Sequence, residues 1–141
     1  ARGETHTIPT LQRHQDETHL PDHGGEPIGL LPEHYKAILQ GMAQAAEKGT
    51  ARRCKVPGIR LAGKTGTGQW RSNNMELNLA WFVGFAPLKN PEVAIAVLIE
   101  GTVPQDRVQG GLNGATVAGK VLRKYFEKKN QTDHAKVVTA P

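Results

Sequence analysis

Residues 79 to 86 read LAWFVGFA and residues 93 to 100 read VAIAVLIE. Both are short apolar runs rich in β-branched and aromatic residues, of strand length rather than helix length. Between them lies PLKNP, a tight-turn composition. Two strands around such a turn form an antiparallel hairpin, and an isolated hairpin is not stable in water. A third extended run, Ile59 to Thr67, precedes the pair. The rest of the chain must therefore cover a small antiparallel sheet.

Two amphipathic segments suit that task. A helix is expected from Pro32, which fits a first helical position. Tyr35, Ile38, Leu39, Met42, Ala43 and Ala46 recur at spacings of three and four and share one stripe. Gly49 reads as its stop, and TARRCKVPG as a connector. A second helix is expected from about Gly114 to Lys128, with Val117, Ala118, Val121, Leu122 and Tyr125 on its apolar face. The predicted fold class is α+β: strands near 59–70, 78–86 and 92–100, with helices near 32–48 and 114–128 packed on the sheet. Residues 1–31 read as a loop-rich lead-in, with a short extended segment from Thr5 to Gln12. Residues 32–130 read as the helix-sheet-helix core, and 131–141 as a disordered tail.

The chain has 141 residues, a length that suits one domain with a real core. Its net charge of +5 sits partly in the run from Lys120 to Lys129. That run reads as a solvated helix face, and with aromatics at only 5% there is no basic-aromatic interleaving for nucleotide stacking. No nucleic-acid partner is expected. Cys54 is the single cysteine, which excludes an internal disulfide and a thiolate metal cluster. His14, Asp16, His19, Asp22 and His23 lie close in sequence but match no established ligand spacing, so no metal is assigned. His34 reads as an exposed first-turn residue. Glu100 and Asp106 receive no role. There is no run of about 18 apolar residues and no N-terminal signal segment. The opening ARGETHT has no initiator Met and no helix start, and is expected to belong to a longer protein.

GIRLAGKT, residues 58 to 65, fits the pattern of a phosphate-cradling loop. Such a loop needs a strand before its first glycine and a helix opening at its Lys-Thr. Pro57 stands where that strand should be, and cannot donate to a ladder. Gly66-Thr67-Gly68 follows Thr65, a poor first helical turn. A strand fits better. Lys64 and Gly66 then share one face, and Thr65 and Thr67 the other. Gly66 lets a substrate backbone approach closely. The two hydroxyls beside a lysine suit a carboxylate, and the strand edge offers N–H donors to an oxyanion. A glycine-rich strand with an exposed lysine would look the same from the triplet alone.

The surrounding residues decide between these. LAGKTGTGQ resembles the Ala-Gly-Lys-Thr-Gly-Thr-Ala-Gln strand of penicillin-binding protein transpeptidase domains; Lys-Thr-Gly recurs across that superfamily. GMAQAAEKGTARR resembles the helix ending in Gly-Thr-Ala that precedes it. LAWFVGFAP resembles the family's Trp-Phe-x-Gly-Phe-x-Pro strand. VAIAVLIEG, the GG at 110–111 and GATVAGKVLRKYF resemble its last strand, glycine loop and closing helix. ARGETHTIPTL is similar to its Asn-Gly-Gly-Thr-x-x-x-Pro-x-Leu segment. The likeness covers most of the chain and is greatest to the C-terminal part of class B, elongation-type enzymes. Gly68 departs from the usual Ala, and Glu4 from a common Gly.

The resemblance implies a partial penicillin-recognising fold, akin to serine transpeptidases and β-lactamases. It implies a share in peptidoglycan cross-linking through an acyl-serine intermediate. Lys64 would sustain positive potential in the cleft. Thr65 and Thr67 would hold the terminal carboxylate of a D-Ala-D-Ala stem peptide or a β-lactam. The Thr67 N–H would form half of the oxyanion hole, while Gly66 and Gln69 would line the substrate. Gln69, Trp70 and Arg71 would shape the cleft or, for Trp70, pack in the core or at the rim. No cofactor is implied. The family's Ser-x-x-Lys and Ser-x-Asn motifs precede Lys-Thr-Gly. Here the one serine, Ser72, follows it and has no lysine three residues on. Ser72-Asn73-Asn74 spells Ser-x-Asn in the wrong place and reads as coincidence. The nucleophile is therefore expected in a preceding part of the same domain, and this chain alone is expected to be inactive. The resemblance further implies the periplasmic face of the inner membrane, an anchor outside this chain and cell-wall elongation partners. The alternatives are a D,D-carboxypeptidase or serine β-lactamase portion, or a non-catalytic interaction module whose sheet another chain completes.

Overall fold

The computed structural model describes residues 28–72 and 75–138. The predicted segment at Thr5–Gln12 and the histidine group at 14–23 lie outside them. The chain divides into two compact units, Ala1–Ile38 and Leu39–Pro141. The boundary falls inside the first helix, α1, at Pro32–Glu47. In the first unit, the described residues 28–38 comprise a short lead and the opening turns of α1, where the Tyr35 N–H donates to the Leu31 carbonyl at 3.0 Å. His34 is exposed, as expected.

The second unit holds the sheet. Its strands are β1 (Ala62–Ser72), β2 (Met75–Ala86) and β3 (Val93–Glu100), antiparallel in the order β1-β2-β3. The predicted α+β class and the hairpin around PLKNP are both present. Asn90 takes φ 52 in that turn, a left-handed conformation asparagine tolerates. β1 begins at Ala62, not Ile59. Val56-Pro57-Gly58-Ile59 forms a turn first, with Gly58 at φ +73 and the Ile59 N–H donating to the Val56 carbonyl. Proline followed by a positive-φ glycine is the type II pattern. β1 and β2 pair from Ala62↔Phe85 to Ser72↔Met75, so their far ends extend past β3, whose pairing stops at Leu79↔Glu100.

Alternation along the strands makes two faces. On one, Phe82 and Ala86 of β2 are fully buried against Leu61, Cys54, Ala115, Ala118, Leu122 and Phe126. Val93, Ile95 and Val97 of β3 pack against the same cluster. From α1, Ala43 and Ala46 are buried, with Leu39 and Met42 half-buried. The connector supplies Ala51 and Cys54 through the 3-10 turn Arg52–Cys54.

The last helix, α2 (Ala115–Val138), follows a π turn at Gly110–Gly114 and continues well past the expected end near Lys128. No glycine or proline interrupts residues 120–138. Its buried face is Ala115, Ala118, Gly119, Leu122 and Phe126. This corrects the predicted stripe, in which only Ala118 and Leu122 are shared. Gly119 explains the difference: a Cβ there would lie 2.6 Å from the Arg53 carbonyl oxygen and 3.0 Å from Cys54 Cα. The helix approaches the 3-10 turn too closely for a larger residue, so Val117, Val121 and Tyr125 turn outward.

Candidate active site

The Lys64-Thr65-Gly66-Thr67 stretch lies in the middle of β1, an edge strand, so no helix starts at Lys64 and the phosphate-loop geometry is absent. Register sets the environment of each residue. Thr65 stands opposite Phe82 on the helix-covered face and is 8% exposed. Lys64 stands opposite Val83, and Gly66 opposite Trp81, on the other face. Lys64 is exposed, and its ammonium turns over the strand edge to donate to the Thr65 carbonyl at 2.5 Å.

Backbone direction follows from how closely Gly110 sits. A Cβ on Gly110 would lie 2.3 Å from the Gly66 oxygen, 2.6 Å from the Trp81 oxygen and 2.9 Å from the Gly66 nitrogen. Those atoms meet in the seam between β1 and β2, so the polar groups of Gly66 turn inward. Peptide groups alternate along a strand. Those of Thr65 and Thr67 therefore turn to the edge of β1 away from β2, where the Lys64 ammonium also lies. An N–H, a carbonyl and a cation are thus gathered on one edge.

Both hydroxyls are supported from behind. The Gly110 N–H donates to Thr67 Oγ1 at 3.2 Å. That uses a lone pair and leaves the exposed Thr67 hydroxyl its own proton to give to an anion. Thr65 Oγ1 donates to Thr50 Oγ1 at 2.8 Å. Thr50 follows α1, where the Gly49 and Ala51 N–H groups fold back on the Ala45 carbonyl. Gly111 packs on the Thr50 carbonyl, with room for no Cβ: one would stand 2.6 Å from that oxygen. Gln69 is exposed opposite Asn78, and Trp70, 42% exposed, lies at the rim opposite Leu77.

The loop carrying Gly110 is fixed at its start. Asp106 accepts from the Thr102 N–H at 2.7 Å, the Thr102 hydroxyl at 2.9 Å and the Val103 N–H at 3.3 Å. These bonds hold its carboxyl below the usual range. Asn78 clamps the same loop to β2, donating from Nδ2 to the Asp106 carbonyl at 2.7 Å and accepting from the Gly101 N–H at 2.8 Å. Glu100 and Asp106 form no acid pair; Glu100 is exposed beside Leu79 on the other face. Among the described residues, no group of three or more potential ligands could hold a metal. None of their helices is long and apolar enough to cross a membrane.

An antiparallel sheet with helices on one face, and Lys-Thr-Gly on its edge strand, define a penicillin-recognising transpeptidase fold. Residues 9–127 match the family model described as penicillin binding protein transpeptidase domain. The chain belongs to that family. It is similar to the stage V sporulation protein D of Bacillus subtilis, at 29% identity over 79% of this chain and 20% of that protein. It is also similar to the peptidoglycan D,D-transpeptidase PbpA of Mycobacterium tuberculosis, at 32% identity over 61% of this chain and 18% of that one. Among solved structures, it resembles the transpeptidase domain of the FtsI4 D,D-transpeptidase from Legionella pneumophila. The TM-score is 0.61 and the identity 29%, over 74% of this chain and 39% of that chain. The chain thus spans about a fifth of the curated relatives it matches.

The contacts of Thr50 and Gly110 with the two threonine hydroxyls were not legible in the sequence. Both residues occur in segments that resemble the family, but Thr50 precedes Thr65 by 15 residues and Gly110 is 43 residues from Thr67. No spacing rule brings them together.

Proposed function

We propose that this chain forms the Lys-Thr-Gly wall of a peptidoglycan D,D-transpeptidase. The observation that carries the reading is the β1 edge, where Lys64, the Thr65 carbonyl and the Thr67 N–H converge with two supported hydroxyls behind them. Thr65 and Thr67 hold the terminal carboxylate of a D-Ala-D-Ala stem peptide or a β-lactam. Lys64 attracts and orients that anion. Gly66 leaves the strand open to the substrate backbone, and Gln69 lies further along the same wall. The Thr67 N–H supplies one of two donors to the carbonyl oxygen as it becomes an oxyanion.

The nucleophilic serine and its activating lysine come from residues outside this chain, since no Ser-x-x-Lys occurs in it. In the complete site, the serine oxygen attacks the D-Ala-D-Ala carbonyl and D-alanine leaves. An amine on a neighbouring stem then takes the acyl group and frees the serine. No cofactor is needed. The family likeness supports the further reading that the domain works on the periplasmic side of the inner membrane, with an anchor outside these residues and cell-wall elongation proteins as partners.

Labelled penicillin tests the reading. The intact enzyme should form one covalent adduct, mapped by mass spectrometry to a serine outside these residues. This chain alone should form none. An adduct on Ser72 would contradict the assignment.

A further inference from the structure

We propose that Thr50 is a positioning residue for the carboxylate site, acting through the hydroxyl of Thr65; this rests on the site reading above. Thr65 has one hydroxyl proton, and at rest it is given to Thr50 Oγ1 at 2.8 Å. A carboxylate brings no proton, so it binds Thr65 only by receiving that one. Thr65 is nearly buried, 8% exposed, and water cannot readily replace the partner it gives up. Thr50 can. When Thr65 turns its proton to the ligand, the Thr50 hydroxyl rotates and donates to Thr65 Oγ1. The hydrogen bond between them persists with its direction reversed, and no heavy atom need move. Hydroxyls chained in this way polarise one another and strengthen the bond to the anion.

The geometry makes Thr50 fit for this. Its backbone is pinned between the end of α1 and Gly111, which packs against its carbonyl. Thr67 has the matching arrangement, except that its rear donor is the Gly110 N–H, which never changes direction. The two ligand hydroxyls thus differ in kind. One is backed by a fixed donor, and the other by a rotor that answers to the ligand's charge.

The test uses the intact enzyme and penicillin acylation, with the non-covalent affinity and the acylation step measured separately. Thr50→Val should weaken affinity roughly three- to tenfold, the loss of one modest hydrogen bond, and leave the acylation step nearly unchanged. Thr50→Ser should restore affinity. In a Thr65→Val background, Thr50→Val should have no further effect, because residues acting through one contact are not additive. With the neutral penicillin methyl ester, Thr50→Val should match the parent. Thr50→Ala gives the same cycle if valine prevents folding. The proposal is overturned if Thr50→Val weakens binding equally in the Thr65→Val background, if serine fails to rescue, or if the ester shows the same loss. Thr67→Val is the control for the site itself: wild-type behaviour there would instead count against the carboxylate assignment.

Discussion

The Gly110 N–H donates to Thr67 Oγ1 across 3.2 Å, joining the loop after β3 to the strand that carries Lys-Thr-Gly. Gly110 makes the bond because it lies directly over the Gly66–Trp81 pair, where a Cβ would be 2.3 Å from the Gly66 oxygen. The obstructing atoms are backbone and cannot swing aside. Gly110→Ala should therefore destabilise the fold by at least about 1–3 kcal/mol, the range for overpacking. It should also slow acylation in the intact enzyme. Denaturant midpoints and a labelled-penicillin time course check both effects; unchanged values in each would remove Gly110 from the account.

Asp106 gives a pH prediction. Its carboxyl is held below its ordinary value by the Thr102 and Val103 bonds, so the ionised form is favoured in the folded state. A depressed folded pKa adds stability above the unfolded pKa, and that stability is lost as pH falls through the folded one. Acidification below the usual carboxylate range should loosen the 101–106 turn. Asp106→Asn should lose part of that dependence. Hydrogen exchange at the Thr102 and Val103 amides against pH reads it directly; identical profiles in the two proteins would refute it.

Cys54 is fully buried, and desolvation raises its thiol to about 11. The thiolate is the reactive species. Iodoacetamide at neutral pH should leave native Cys54 unmodified and label it fully in denaturant. Rapid native labelling would mean that the contact between α2 and the 3-10 turn opens readily.

The face of the sheet away from the helices carries Trp81, Val83 and Leu98, each at least 41% exposed, in adjoining rows beside Lys64. Apolar groups gathered in this way favour association. This chain by itself should self-associate at micromolar concentration, and Leu98→Lys should reduce that. Sedimentation velocity decides; a monomer before and after the change would show that the face is inert.

The strands were legible because VAIAVLIE and LAWFVGFA carry their own length and composition, and the PLKNP turn joins them. The far ends of β1 and β2, beyond residue 70 and before residue 78, were not. Arg71, Glu76 and Leu77 have no apolar alternation; pairing alone extends the ladder there. The α2 face was misphased for a related reason. Val117, Val121 and Tyr125 outweigh Ala115 and Gly119 in any hydrophobic pattern, yet close approach to Arg53 and Cys54 selects the small residues. The candidate site divides along the same line. The proposal for Lys64 to Thr67 could be drawn from sequence because those residues are local to one strand. The contacts that Thr50 and Gly110 make with the two threonine hydroxyls depend on tertiary structure.

The most direct measurement is the acylation rate of the intact enzyme by penicillin, compared with Thr67→Val and Lys64→Ala. Valine keeps the strand shape and the backbone N–H at residue 67 while removing the hydroxyl. It should slow acylation by about one to two orders of magnitude, the loss of one hydrogen bond to a charged group. Lys64→Ala should cost more, since it removes the cation from an edge that must attract an anion. Wild-type rates in both variants would contradict the assignment of this strand as the substrate-binding wall.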